Sequence, residues 1–333
     1  MSKMGLERDR GAVIVQVAIM LVVLLLFVGL AVDVGAMYGQ RRHMQNAADA
    51  GALAGAHAVC FGGDPIAKAT EYAVTRNLAA SAVVEMVNAY TVRVQASITT
   101  PLRFAGLIGM PTATVTADAT AACGRANSAC GLWPIAMGVE VWNANCNTEY
   151  AVWDDDKIDC TLYDCDTNDD GVDDIIAGGA RGWLDFSSVD IEAPYSDACS
   201  GGGAALLKCY LEADFAAKIS LPTCICSKQG VTASAWKTAG DQAGRDVIIP
   251  LFDSINTCTA GCGGGIMTYH IVDFGCAHVI GSETREVVNI ATGKKTKSKV
   301  LIMRIDCPCA SNCGGTSGGG GGPQYVKAVS LVD

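Results

Sequence analysis

The densest cluster of prospective ligands in this 333-residue chain is acidic. In DTNDDGVDD, Asp166, Asn168 and Asp170 alternate ahead of Gly171, and Asp174 follows; Asp154, Asp155, Asp156, Asp159 and Asp164 precede them. Oxygen donors two residues apart, then a glycine that permits a sharp turn, are what a calcium loop requires. The spacing predicts side-chain oxygens from Asp166, Asn168 and Asp170, a backbone carbonyl from Val172 and a further oxygen from Asp174. The bidentate glutamate of a helix-flanked calcium sensor would fall at Ala177, where no carboxylate exists. The expected ion is therefore a structural calcium that offsets carboxylate repulsion and rigidifies an insertion over 143–178.

The second chemical signal is sulfur. There are 16 cysteines, and all but Cys60 lie between Cys123 and Cys313. An even set with no CxxC pair reads as a disulfide framework whose connectivity is open at this stage. Cys160 with Cys165 and Cys258 with Cys262 are near enough for local bridges. The CxC elements Cys224/Cys226 and Cys307/Cys309 are expected to reach elsewhere, and Cys60 to tie a preceding helix to the domain. Cys307, Cys309 and Cys313 resemble a zinc knuckle, but disulfides belong to an oxidising compartment and make that reading the weaker one.

Enzyme signatures are mostly missing. There is no HExxH pair, Walker A loop or GxGxxG fingerprint. His270 and His278 lie in a strand-like run and read as structural, and Trp183 reads as core. Asp185, Ser187 and Ser188 echo a DxSxS metal site whose last position is filled by Val189. No enzymatic role is expected. With 24 Lys+Arg against 34 Asp+Glu the net charge is −10, which argues against nucleic acid as a partner. Half the residues are hydrophobic and 17% are charged, which excludes a disordered chain.

These residues must be positioned by a scaffold that starts in a membrane. Residues 12–32, AVIVQVAIMLVVLLLFVGLAV, hold no charge. As a helix they extend roughly 30 Å, the thickness of a bilayer's hydrocarbon core. The run is longer than the apolar part of a cleaved signal peptide and leads straight into a helical pattern, so it reads as a retained anchor. Residues 1–11 form a cytoplasmic leader, and 33–60 an alanine-rich helical stalk. Small residues four apart, Gly35/Gly39 and Ala48/Ala52/Ala56, suit close helix packing. Either the stalk's own domain or a second copy, through self-association, could supply the packing partner. The disulfide framework sets the orientation: amino terminus in the cytoplasm, carboxy-terminal bulk periplasmic or extracellular.

Residues 61–333 read as an extracytoplasmic α+β domain. Asp64 and Pro65 are the N-cap and first residue of a helix expected over 64–87. YTVRVQASITT and TATVTADATAA alternate with period two and predict strands, separated by a short helical piece at PLRFAGLIG. Further strands are expected at Leu132–Val139, Asp246–Pro250, Met267–Ile280, Arg285–Ile290, Val300–Asp306 and Tyr325–Val332. Gly293 favours a hairpin turn between Val287 and Asp306, and the lysines around it read as a solvated turn. Residues 314–322 are a glycine-rich linker. The fold class is a single transmembrane helix extended into a stalk, followed by a disulfide-rich α+β domain.

The anchor and stalk resemble the amino-terminal segment of TadE/TadG-like Flp pilus-assembly proteins. Asp33, Tyr38, Gln45, Ala48, Asp49, Ala52, Leu53 and Ala54 fall where that family's pattern of an apolar span, Asp, aromatic, Gln and Asp places them. Weaker likeness continues through TVRVQASITTPLRFAGLIGMPTATVTADATA, GWLDFSS, VIIPLFD and YHIVDFGCAHVIG. The resemblance implies a bacterial inner-membrane, single-pass, non-enzymatic component that meets pilus or pilus-assembly subunits as well as the lipid bilayer. Prepilins are cut after a glycine and carry Glu at the fifth mature position; here a cut after Gly11 would place Gln16 there. The alternative expectation is a calcium-stabilised adhesin or envelope-binding protein that shares only the anchor.

Overall fold

The computed structural model describes residues 6–142, 146–153, 159–166, 175–176, 181–189, 199, 203–228, 233–258, 261–263, 266–307, 309–310 and 325–332. The glycine-rich linker 314–322 lies outside them. The chain forms two compact units, Met1–Ala122 with Leu331–Asp333, and Cys123–Ser330.

In the first unit, helix α1 (Leu6–Phe61) runs unbroken from the apolar segment through the stalk. Proline is absent until Pro65, and alanine is the commonest residue, so nothing interrupts the backbone ladder. Every large apolar side chain from Val13 to Val32 is exposed, on a helix long and apolar enough to cross a membrane. Beyond Asp33 one face turns inward, burying Met44, Ala47, Ala48, Ala52 and Ala56. Their neighbours are helix α2 (Pro65–Thr70), the π-helical turn Glu71–Arg76, and a strand. A side chain on Gly55 would bring its Cβ within 2.9 Å of Val92 and 3.2 Å of Ala69, so only the smallest residues allow this approach. The alanine stripe is therefore consumed within its own unit, whereas Gly35 and Gly39 face open space.

Asp64 caps α2, accepting the amides of Ile66 and Ala67 at 3.0 Å each. The helix expected over 64–87 stops early, however. Helical backbone ends at Arg76, Leu78 takes a left-handed φ of 56°, and Ser81–Asn88 is strand β1. SAVVEMV satisfies either period locally. Its antiparallel ladder with β2 (Thr91–Pro101), which pairs Val84 with Val94, decides the matter. The Asn88 side chain accepts the Tyr90 amide at 2.8 Å and turns the hairpin. β2 buries Val92, Val94 and Ala96 between exposed Arg93 and Gln95, and pairs antiparallel with β3 (Thr112–Arg125).

The second unit contains β4 (Ser128–Ala129), β5 (Ile135–Gly138), α3 (Val139–Trp142), β6 (Glu149–Trp153), β7 (Ile175–Ile176) and β8 (Arg181–Asp185). There follow α4 (Gly203–Ala213), β9 (Ile219–Ser220), β10 (Thr223–Ser227), α5 (Ala233–Gly240), β11 (Asp246–Ile255), β12 (Thr268–Val288), β13 (Lys295–Ile305), β14 (Cys309–Ala310) and β15 (Val326–Val332), whose last two residues belong to the first unit. The main sheet has the order β10-β8-β5-β11-β12-β13-β6-β7, antiparallel except at β5–β11 and β6–β7. β10 also pairs with the start of β12, so β10, β8, β5, β11 and β12 close into a ring. The two strands expected at Met267–Ile280 and Arg285–Ile290 are one continuous strand, β12. Ala277–Val279 and Gly281–Val288 keep a ladder partner in β13, so nothing ends the strand between them.

Aromatic packing fills the core. Trp183 meets Trp236 edge-on at 5.2 Å, and Phe186 stacks on Phe215 at 4.4 Å. Trp183 is buried, as a core residue should be. Among the described residues, seven cysteine pairs stand at disulfide distance. Cys160–Cys165 is the expected local bridge. The local Cys258–Cys262 bridge that the spacing allows does not form: Cys258 joins Cys224 and Cys262 joins Cys226, because β10 runs beside the loop that follows β11. Both CxC elements reach elsewhere, with Cys307 on Cys146 and Cys309 on Cys276. The β12–β13 hairpin turns at Gly293, whose φ is 64°, and Lys295 and Lys297 both pair with Glu286.

Candidate functional site

Where α1 leaves its apolar stretch, residues spaced at multiples of four (Gly29, Asp33, Arg41 and Gln45, with Met37 between the middle two) form one stripe that meets the β2–β3 hairpin. Four residues make just over one helical turn, so the stripe is continuous along one face. Each member makes a different contact.

Asp33 is 4% exposed, and its carboxylate is not paired with a cation but with backbone. It accepts the amides of Arg103 at 2.8 Å, Phe104 at 3.0 Å and Ala105 at 2.7 Å. Three consecutive N–H groups pointing at one carboxylate form an anion-holding concavity, so burying this charge is compensated by directed donors. These amides open the short 3-10 turn Ala105–Ile108, so Asp33 does from another element what an N-cap residue does locally. One turn back, Gly29 receives the Phe104 ring.

Further along, Arg41 donates from Nη1 to the Thr116 carbonyl at 2.8 Å. Gln45 donates from Nε2 to the Asp118 carbonyl at 3.3 Å and to Asp49 Oδ1 at 2.8 Å. Thr116 and Asp118 are two apart on β3, so both carbonyls leave the same strand edge. The helix is thus fastened to the hairpin at its tip by Asp33 and along its strand by Arg41 and Gln45. This joint holds the end of the apolar segment in fixed register with the first unit. Its contacts are hydrogen bonds and close packing between helix and hairpin.

Sequence reasoning singled out Asp33, Gln45 and Asp49 without assigning their contacts. It missed Gly29, Arg41 and the amides of 103–105. The four-residue spacing was the available signal. Tyr38 projects into solvent. A shallow apolar groove along the stalk is lined by Leu53, Ala54, His57, Phe61 and Tyr72.

In the second unit His270 and His278 each place Nδ1 against a cross-strand carboxylate, Asp253 at 2.8 Å and Asp246 at 2.6 Å. Asp185 accepts from Ser187 and from Lys228 and caps the 3-10 turn Phe186–Ser188, an ordinary structural use of the DxSxS echo. Of the expected calcium ligands Asp166 is described, directly after the Cys160–Cys165 bridge; Asn168, Asp170, Val172 and Asp174 lie outside the described residues. Among the described residues no three His, Cys, Asp or Glu side chains converge as a metal site.

The family model of putative Flp pilus-assembly TadE/G-like proteins matches residues 11–58, which carry the apolar run and all four members of the stripe. This family domain supports a role in pilus assembly. No curated protein and no solved structure matches the chain.

Proposed function

We propose that the chain is a non-enzymatic, single-pass component of the tight-adherence pilus apparatus in a bacterial inner membrane. Residues 12–32 cross the bilayer with the amino terminus in the cytoplasm, and the disulfide-bonded bulk stands on the periplasmic or outer side. The observation that carries this reading is the coincidence of the matched segment with the joint. Two of the residues that give the segment its family character, Asp33 and Gln45, are among those that fasten the anchor to the hairpin. Such a joint would transmit position or force between membrane and ectodomain, which an assembly component needs and a diffusible enzyme does not.

Contacts to pilus or assembly subunits fall to the exposed surfaces of the ectodomain, and self-association to the free Gly35/Gly39 face of α1. A clean deletion of the gene should abolish surface pili or attachment, with recovery from a plasmid copy. Normal piliation in the deletion strain would contradict the assignment.

The acidic segment Asp166–Asp174 supports a structural calcium ion within this proposal, through alternate oxygen donors and a turn glycine. Titration calorimetry on the chelator-treated full chain tests it. A binding heat together with a raised melting midpoint is expected, and the absence of both removes the ion.

A further inference from the structure

We propose that the tip of the β2–β3 hairpin, residues 102–111, is a second membrane contact that inserts into the bilayer surface beside the anchor helix. The inference rests on the reading of 12–32 as a membrane span and adds to it a lipid-seeking loop from a distant part of the chain.

Four observations point the same way. The tip reads LRFAGLIGMP, with one charge in ten residues. Its large apolar side chains are turned outward: Leu107 is 83% exposed, Ile108 70%, Met110 55% and Phe104 44%. On a soluble surface a contiguous apolar tip is costly, and such patches mark a site of interaction. The depth is fixed by the joint. Phe104 lies on Gly29, which sits about 4–5 Å before Val32 along a helix that rises 1.5 Å per residue. The ring is therefore level with the last turn of the apolar run.

The backbone is prepared for a medium without water. Asp33 takes the amides of 103, 104 and 105, while those of Leu102, Leu107, Gly109 and Met110 bond within the loop. Pro111 has no amide to satisfy. With these seven amides met by Asp33 or within the loop, the tip can enter the interface at less of the penalty that excludes ordinary loops. Finally, Arg103 is exposed at the Asp33 end, where its guanidinium can reach lipid phosphates while the tip points inward. A loop built to meet a protein partner would have no need to sit at this level.

The test uses the full-length chain in phosphatidylcholine–phosphatidylglycerol nanodiscs. A fluorescent amino acid is placed singly at Leu107, at Leu24 within the span, or at Val83, an exposed position on β1. Lipids carry a nitroxide near the headgroup end or near the terminus of the acyl chain, and iodide serves as the aqueous quencher. A label at position 107 should be quenched about two-fold more by the shallow nitroxide than by the deep one, as insertion of roughly 5–10 Å requires. Position 24 should respond most to the deep nitroxide, and position 83 to iodide alone.

If position 24 meets the lipid nitroxides while position 107 answers only to iodide, the hairpin insertion is wrong and the anchor stands. If position 107 is shielded from both quenchers, protein covers the tip and the proposal also falls. If position 24 escapes the lipid nitroxides, the anchor reading itself fails, and the hairpin proposal with it.

Discussion

Phe104 lies so close over Gly29 that a methyl group on the glycine would come 2.6 Å from the ring's Cγ. The two residues are 75 positions apart in sequence, yet this contact sets where the hairpin meets the helix. In an isolated helix, alanine in place of glycine is favourable by about 1 kcal/mol. Here the ring must move, and overpacking of this kind costs about 1–3 kcal/mol. Gly29→Ala should therefore speed hydrogen exchange at the amides of 103–105 in the membrane-embedded chain. Unchanged or slower exchange there would show that the ring does not depend on the glycine.

The Asp33 carboxylate predicts a graded series. Asp33→Ala strands three amides at once, and each unsatisfied buried donor costs about 1–3 kcal/mol. Asp33→Asn retains one acceptor oxygen but turns an NH2 group toward the same donors. Exchange at 103–105 should rise modestly in the asparagine variant and by more than about ten-fold in the alanine variant, as 1.4 kcal/mol or more implies. Protection around Gly55, which packs on Ala69 of α2, should be unchanged in both. Equal protection of 103–105 in all three proteins would mean that Asp33 does not hold the hairpin.

The second unit offers a pH test with a defined sign. Burial would raise the Asp185 carboxyl, but the Lys228 ammonium at 2.7 Å and the Ser187 donors outweigh it and hold the group below the usual 3.8. A folded-state value below the unfolded one gives stability that is present above the unfolded value and drains away as pH falls through the folded one. Asp185→Asn should lower stability by about 1–2 kcal/mol near neutrality, a charge-assisted hydrogen bond having been lost. That deficit should shrink on acidification below about pH 4. Thermal melts of both proteins across this range check the sign, and a deficit that grows with acid would contradict it.

Much of the first unit was legible in sequence because its determinants are local. An uncharged apolar run, proline-free alanine-rich sequence and strict alternation in TVRVQASITT each dictate one backbone state. SAVVEMV misled because a short β-branched run fits a helix until a neighbouring strand supplies its ladder. Cys258–Cys262 misled for a similar reason: proximity in sequence cannot outweigh a strand packed beside both sulfurs. The joint itself was only half visible. Asp33 stood out as a carboxylate at the end of an apolar helix, but its partners are peptide N–H groups, which every residue but proline carries and no residue type announces. Their distance of 70 or more positions leaves no periodic trace.

The central claim is that residues 12–32 cross the membrane and leave the cysteine-rich remainder in an oxidising compartment. Alkylation of intact cells before any reduction, followed by mass spectrometry of the isolated chain, tests it most directly. The predicted result is bridged peptides joining Cys160 to Cys165, Cys224 to Cys258 and Cys226 to Cys262. Recovery of all 16 cysteines as alkylated thiols would contradict it.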